Sequence, residues 1–361
     1  MTPVDCINLH DHAERATAMM DPAVAAYVDG GAADELTLRA NLQGWREIPL
    51  HPRVLRPLAG GHTRCTVLGR EHPHPLLVAP MALQRLVHPD GERAVALAAA
   101  ALQAGLVLSA QSSTPAGEVA ALHRSEPGGG PLWMQLYLCN DRGLDLQAVR
   151  QAEAQGFEAM VLSVDAPVQG ARDRQRRARF SVPAGLSTGY HRRPPAPGTP
   201  GLCVGWVEQA TTWDDVAWLR AQTALPLLLK GVTHPDDARQ AQSLGMVGLI
   251  VSNHGGRTLD SVPATATLLP AVADAVGGEM TLLVDGGLRR GTDVLKALAL
   301  GADAVLVGRP VLYGLAHAGV AGVAQVLRLL RVELEMAMAL CGCRTLADIG
   351  PAVVGRLREP R

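Results

Sequence analysis

Residues 281 to 310 read TLLVDGGLRRGTDVLKALALGADAVLVGRP. An aliphatic run ends in Asp-Gly-Gly, a stretch of helix-forming composition follows, and a second run, AVLV, ends in Gly-Arg-Pro. Apolar runs without polar alternation predict strands covered on both faces, as in a parallel sheet. Strand, helix and strand within about 30 residues make one βαβ unit.

Working outward, the same kind of run occurs eight times: LLVAPM (76–81), LVLSA (106–110), LWMQLY (132–137), AMVLSVD (159–165), PLLLKG (226–231), GLIVSN (248–253), TLLVDGG (281–287) and AVLVGRP (304–310). Segments of helical composition such as GERAVALAAAALQAG (91–105) separate them. Eight β-then-α units predict an α/β fold, a closed (β/α)8 TIM barrel. We expect one domain over 1–361: an N-terminal helical extension (1–75), the barrel (76–330) and a C-terminal helical segment (331–361). Successive strands lie roughly 20 to 30 residues apart, except that about 60 separate the fourth from the fifth. That insertion, 166–211, holds RDRQRRARF (172–180) and GYHRRPPAPGTPG (189–201) and reads as a long lid loop after strand 4.

Composition narrows the function. The 361 residues carry a formal charge of −1, which argues against a nucleic-acid partner. Apolar residues make up 48% and aromatics only 3%, so the core must be aliphatic. Lys230 and Lys296 are the two lysines among 33 basic residues, which singles them out. Six scattered cysteines without a charged-then-apolar leader predict a reduced, cytoplasmic protein. The apolar runs are too short to span a bilayer. HPHP (72–75) and CGC (341–343) are assigned to a turn and to buried thiols, and no metal site is expected.

Barrel enzymes place their chemistry at the C-terminal ends of the strands. Here those ends carry Gln135 and Tyr137, Ser163 and Asp165, Lys230, Ser252 with Asn253 and His254, Asp285, and Arg309. The two Gly-rich ends, DGGLRRG and VGRP, fall on the seventh and eighth strands, where such barrels often bind phosphate. Arg289 and Arg309 would supply bidentate donors. A phosphorylated ligand is therefore expected on the residues alone. GxGxxG, Walker A and HExxH motifs do not occur.

Eight segments together carry a family resemblance: YVDGGAADELTLRAN (27–41), LVAPMAL (77–83), MQLY (134–137), LSVDAP (162–167), LLLKGV (227–232), IVSNHGGRTLD (250–260), residues 281–310 and LCGCRTLADIG (340–350). From about Pro22 to about Gly350 the chain resembles the FMN-dependent L-2-hydroxy acid oxidases and dehydrogenases, such as glycolate, lactate and hydroxymandelate oxidases. The resemblance implies FMN as cofactor and a 2-hydroxy acid oxidised to the 2-oxo acid. It makes His254 the base, a role suited to an imidazole neutral near pH 7. Asp165 becomes the carboxylate that orients the base. Arg172 and Arg257 clamp the substrate carboxylate, while Tyr27 and Tyr137 bond its carboxylate and hydroxyl. Lys230 stands beside flavin N1 and the C2 carbonyl, where reduction places negative charge. Pro80, Met81, Ala82, Gln111, Gln135, Ser163 and Ser252 contact the ring, and Asp285, Gly287, Arg289, Gly308 and Arg309 hold the ribityl and phosphate.

Two departures bear on substrate. Met81 stands where relatives often have a smaller or hydroxylated residue, and Gln111-Ser112-Ser113 replaces a stretch with a bulky aromatic in glycolate oxidases. The space released favours aryl or larger side chains, mandelate-like, over glycolate. The expected acceptor is O2, giving H2O2, with an acceptor-linked dehydrogenase as the alternative. In another class, the residues also admit a Schiff-base aldolase using Lys230 or a non-catalytic phosphate-binding barrel. The resemblance further implies a homotetramer.

Overall fold

The computed structural model describes residues 5–125, 128–139, 141–186, 207 and 210–355. Three helices lead the chain: α1 (Leu9–Met19), α2 (Pro22–Asp29) and α3 (Leu36–Glu47). Asn8 caps α1 by accepting from the His10 and Asp11 amides, and Asp21 caps α2 with Pro22 in its first turn. A hairpin, β1 (Cys65–Val67) and β2 (Arg70–His72), comes next. Eight parallel strands then close on themselves: β3 (Leu76–Val78), β4 (Gly105–Ser109), β5 (Leu132–Leu136), β6 (Ala159–Ser163), β7 (Leu227–Val232), β8 (Gly248–Val251), β9 (Thr281–Val284) and β10 (Ala304–Val307), with β10 pairing β3.

The intervening helices are α4 (Gly91–Ala101), α5 (Ala116–His123), α6 (Arg142–Ala154), α7 (Asp173–Arg177), α8 (Trp213–Gln222), α9 (Pro235–Ser243), α10 (Thr265–Val276), α11 (Gly291–Ala299) and α12 (Arg309–Cys341). The expected (β/α)8 barrel is present. Six of the eight strands are shorter than their apolar runs, while β4 and β7 match theirs in length, and Ser109, Gln135, Ser163 and Lys230 are paired strand residues.

Strand alternation splits the core in two. One set of side chains, among them Leu76, Leu106, Leu162, Leu229, Leu249 and Val284, packs outward on the helices. The other fills the barrel: Leu77, Val107, Trp133, Val161, Leu228, Ile250, Leu283 and Leu306, with Val67 of the hairpin in the same cluster. One period-two step further along each strand, the inward position becomes polar. Val107 leads to Ser109, Trp133 to Gln135, Val161 to Ser163, Leu228 to Lys230, Ile250 to Ser252 and Leu283 to Asp285, and all six polar residues are buried. The alternation that packs the core therefore also builds the floor of the site.

Two expectations change. The boundary at 330 falls inside α12, whose interruption instead lies at Ala318 and Gly319, both non-helical. The same helix is long and apolar enough to cross a membrane by length and composition, against the expectation that no run would be. Of its apolar window 67% is buried, which is how the core helix of a packed domain looks. Of the lid, residues 166–186 are described and include α7, while 187–206, 208 and 209 lie outside the described residues, as does the end of the C-terminal segment.

Candidate active site

The turn after β8 sets the geometry. His254, Gly255 and Gly256 have φ of 57°, 62° and 73°, three left-handed residues in succession. Histidine tolerates this region better than most residues. Gly256 is required twice over, since a Cβ there would stand 2.7 Å from the Leu38 amide of α3. The turn is braced by Ser252, whose Oγ accepts from the His254 amide at 3.0 Å, and by Asn253, whose side chain accepts from the Gly256 amide at 3.2 Å.

So placed, His254 Nδ1 donates to Asp165 Oδ1 at 2.9 Å, and its Nε2 faces the Tyr137 hydroxyl at 3.5 Å. Burial would raise the Asp165 carboxyl, but the adjoining His254 and Lys230 hold it below the usual carboxylate range. Burial pushes the Tyr137 hydroxyl up to about 12, keeping it a neutral donor.

Lys230 is buried, donates to Ser252 Oγ at 2.8 Å and pairs with Asp285 Oδ2 at 3.1 Å. Burial alone would lower its ammonium, yet Asp285 and Asp165 hold it above the usual lysine range. A lysine kept charged is a poor Schiff-base nucleophile, which argues against the aldolase reading.

The arginines form the second half of the site. Arg257 Nη1 donates to Tyr27 O at 2.6 Å and Gly30 O at 2.9 Å, and its guanidinium lies 5.1 Å from the Tyr27 ring centre. Arg172 reaches Arg257 O at 3.4 Å, and Arg289 reaches Leu288 O at 2.9 Å. Among the described residues, Arg172, Arg257, Arg289 and Arg309 make no ion pair with a carboxylate. Burial, reinforced by Arg172 and Arg309, pulls Arg257 down to about 9, and burial also lowers Arg289 and Arg309. These four arginines are half-buried without counter-ions, an arrangement suited to receiving anions at the mouth.

Three of the expected cofactor residues also hold the protein together. All three nitrogens of Arg309 donate to backbone carbonyls: Val28 at 2.9 Å, Gly255 at 3.0 Å and Gly30 at 3.1 Å. Its guanidinium ties the end of α2 to the β8 turn, leaving Arg289 as the freer fork for a phosphate. Gly287, at φ 87°, would place a Cβ 2.1 Å from Asn41 O, so the approach of α3 explains this glycine without a ligand. The Gln135 amide is also committed, accepting from Ser109 and Ala110 and donating to Ser163 and Leu136 O. Of the remaining predicted contacts, Pro80, Met81 and Ala82 are half-buried beside β3, Gln111 is exposed, and Gly308 caps α12.

Several supporting residues escaped the sequence reading. Glu92, 1% exposed, accepts from the Gln84 and Ser113 amides and from the Ser113 and Thr114 hydroxyls, joining the two loops that follow β3 and β4. An acid in a helix's first turn is ordinary and gave no signal. Asn41 and Asn253 exchange side-chain amide bonds at 2.8 Å in each direction. Near the lid, Arg174 pairs with Glu35, and Phe180 stacks on Tyr27 at 4.5 Å.

The residues fit FMN. Arg289 is a half-buried cation lacking an anion, Asp285 Oδ1 is buried without a donor, and Lys230 is a fixed cation in the barrel floor. A barrel with these features is a flavin-dependent oxidoreductase. The chain belongs to the FMN-dependent dehydrogenase family, whose description matches residues 16–356, and FMN is its cofactor. It is 46% identical over 352 residues to an L-lactate oxidase of Roseobacter sp. (strain GAI101), covering 96% of this chain and 94% of that one. It is 44% identical over 331 residues to glycolate oxidase 1 of Zea mays, covering 90% and 88%. A crystal structure of mandelate oxidase with (S)-2-phenylpropionate superposes with a TM-score of 0.87 at 38% identity, covering 97% and 98%.

Proposed function

We propose that the protein oxidises an L-2-hydroxy acid to the 2-oxo acid and passes the electrons to O2. What carries this reading is the hydrogen-bonded line from Asp165 through His254 to Tyr137 beside arginines that lack acids. FMN, when bound, supplies the two-electron acceptor. Arg257 and Arg172 grip the substrate carboxylate, and Tyr27 and Tyr137 orient it. His254 Nε2 takes a proton from the substrate, while Asp165 fixes Nδ1–H and stabilises the imidazolium. Lys230 and Asp285 hold fixed charges below.

Within this class, substrates with aryl side chains are favoured over glycolate. The Gln111–Ser113 loop carries no aromatic, and Phe180 with Tyr27 offers a flat apolar wall. Glycolate, L-lactate and both enantiomers of mandelate, compared by kcat/KM in an oxygen electrode with H2O2 detection, test the reading. The expectation is L selectivity, preference for mandelate and one H2O2 per turnover. Turnover only with an artificial acceptor would point to the dehydrogenase.

A cytoplasmic homotetramer completes the proposal. The described cysteines are free thiols, as a reducing compartment requires. Exposed Leu55 and Leu340 lie on neighbouring segments joined by the bond from the Arg53 amide to Cys341 O, giving an apolar face for a second copy. Light scattering gives the assembly.

A further inference from the structure

Away from the barrel mouth, three residues remote in sequence come together: Cys6 before α1, His12 on α1 and His317 on α12, immediately before the helix interruption at Ala318 and Gly319. One ligand atom from each lies within 4.8 Å of the others, and Cys6 Sγ stands 3.7 Å from His317 Nδ1. We propose that Cys6, His12 and His317 form a binding site for a borderline-soft divalent cation of the Zn2+ class.

Two observations carry this. The S···N separation is close to that of a tetrahedral centre with Zn–S of about 2.3 Å and Zn–N of about 2.0 Å. Second, His12 is fully buried and neither ring nitrogen makes a hydrogen bond of good geometry, although the Gln325 side chain lies beside the ring. A buried imidazole normally satisfies both nitrogens. Here its neighbours are the His317 ring, edge-on at 5.5 Å, and Gln325, whose amide donates to Cys6 O at 2.6 Å.

The donor set selects the ion. One thiolate and two imidazoles suit Zn2+ and exclude Mg2+ and Ca2+, which demand oxygen. Uptake replaces the Cys6 thiol proton, which leaves to solvent, and half-buried His317 leaves a side for a water as fourth ligand. Arg15 is the cation nearby, and Asp5 pairs with it at 3.4 Å. A bound ion would clamp the start of the chain onto α12, independently of the oxidase chemistry.

Equilibrium dialysis of the FMN-loaded enzyme against Zn2+ tests the site. One ion per chain is expected in the wild type and in Cys341→Ser. Cys6→Ser and His317→Ala should each bind at least ~100-fold more weakly, since loss of even an outer partner costs up to that much. Retained flavin absorbance identifies variants that have folded. Absence of stoichiometric zinc in the wild type, or wild-type affinity in either Cys6→Ser or His317→Ala, would overturn the proposal.

Discussion

Asp165 Oδ1 and His254 Nδ1 stand 2.9 Å apart, and the second oxygen of Asp165 is buried without a partner. The pair fixes which histidine nitrogen carries hydrogen and which accepts a proton. Asp165→Asn should therefore retain FMN but slow flavin reduction by on the order of 10⁴-fold, as when a triad acid is neutralised. Anaerobic stopped-flow reduction measures it, and a loss below tenfold would remove Asp165 from the chemistry.

Lys230 and Asp285 make a buried ion pair, so truncating one leaves an uncompensated charge. Lys230→Met should lose about 3–5 kcal/mol of stability, with Asp285→Asn added in the same chain restoring part of it. The pH dependence follows in sign. Lys230 is held above its unfolded value of about 10.4, so its contribution is complete below that pH and lost as pH rises through the folded value. Alkaline unfolding curves should lose part of their dependence above about pH 10 in the variant.

Arg257 combines a half-buried charge with donation to the carbonyls at the end of α2. Arg257→Lys keeps the charge and loses the fork. We expect KM to rise and kcat to fall, together lowering kcat/KM by roughly 10²-fold or more. A variant with unchanged KM would leave the substrate carboxylate without its assigned partner.

Glu92 gathers two amides and two hydroxyls on one carboxylate. Glu92→Gln should cost on the order of 3 kcal/mol in urea unfolding and weaken FMN binding, because it loosens the loops carrying Met81 and Gln111. Equal stability with and without the acid would make this network ornamental.

The barrel was legible because continuous aliphatic runs such as LLVAPM and GLIVSN, short enough for strands, recur eight times in alternation with segments of helical composition. His254, Asp165, Tyr137 and Lys230 were legible because polar residues at the ends of such runs must enter the mouth. The structure brings those four together at one end of the barrel. What stayed hidden depends on how separate elements approach one another. The packing of α3 against Gly287 and the bonds from Arg309 to the carbonyls of Val28, Gly30 and Gly255 are of this kind. Cys6, His12 and His317 have no common spacing, and only the packing of α1 on α12 joins them.

The central claim is that His254 accepts the substrate proton. Anaerobic mixing with L-mandelate should bleach the visible absorbance of the FMN-loaded wild type rapidly. In His254→Ala, which should still bind FMN, bleaching should be slower by roughly 10² to 10⁴-fold. Bleaching at the wild-type rate in that variant would contradict the account.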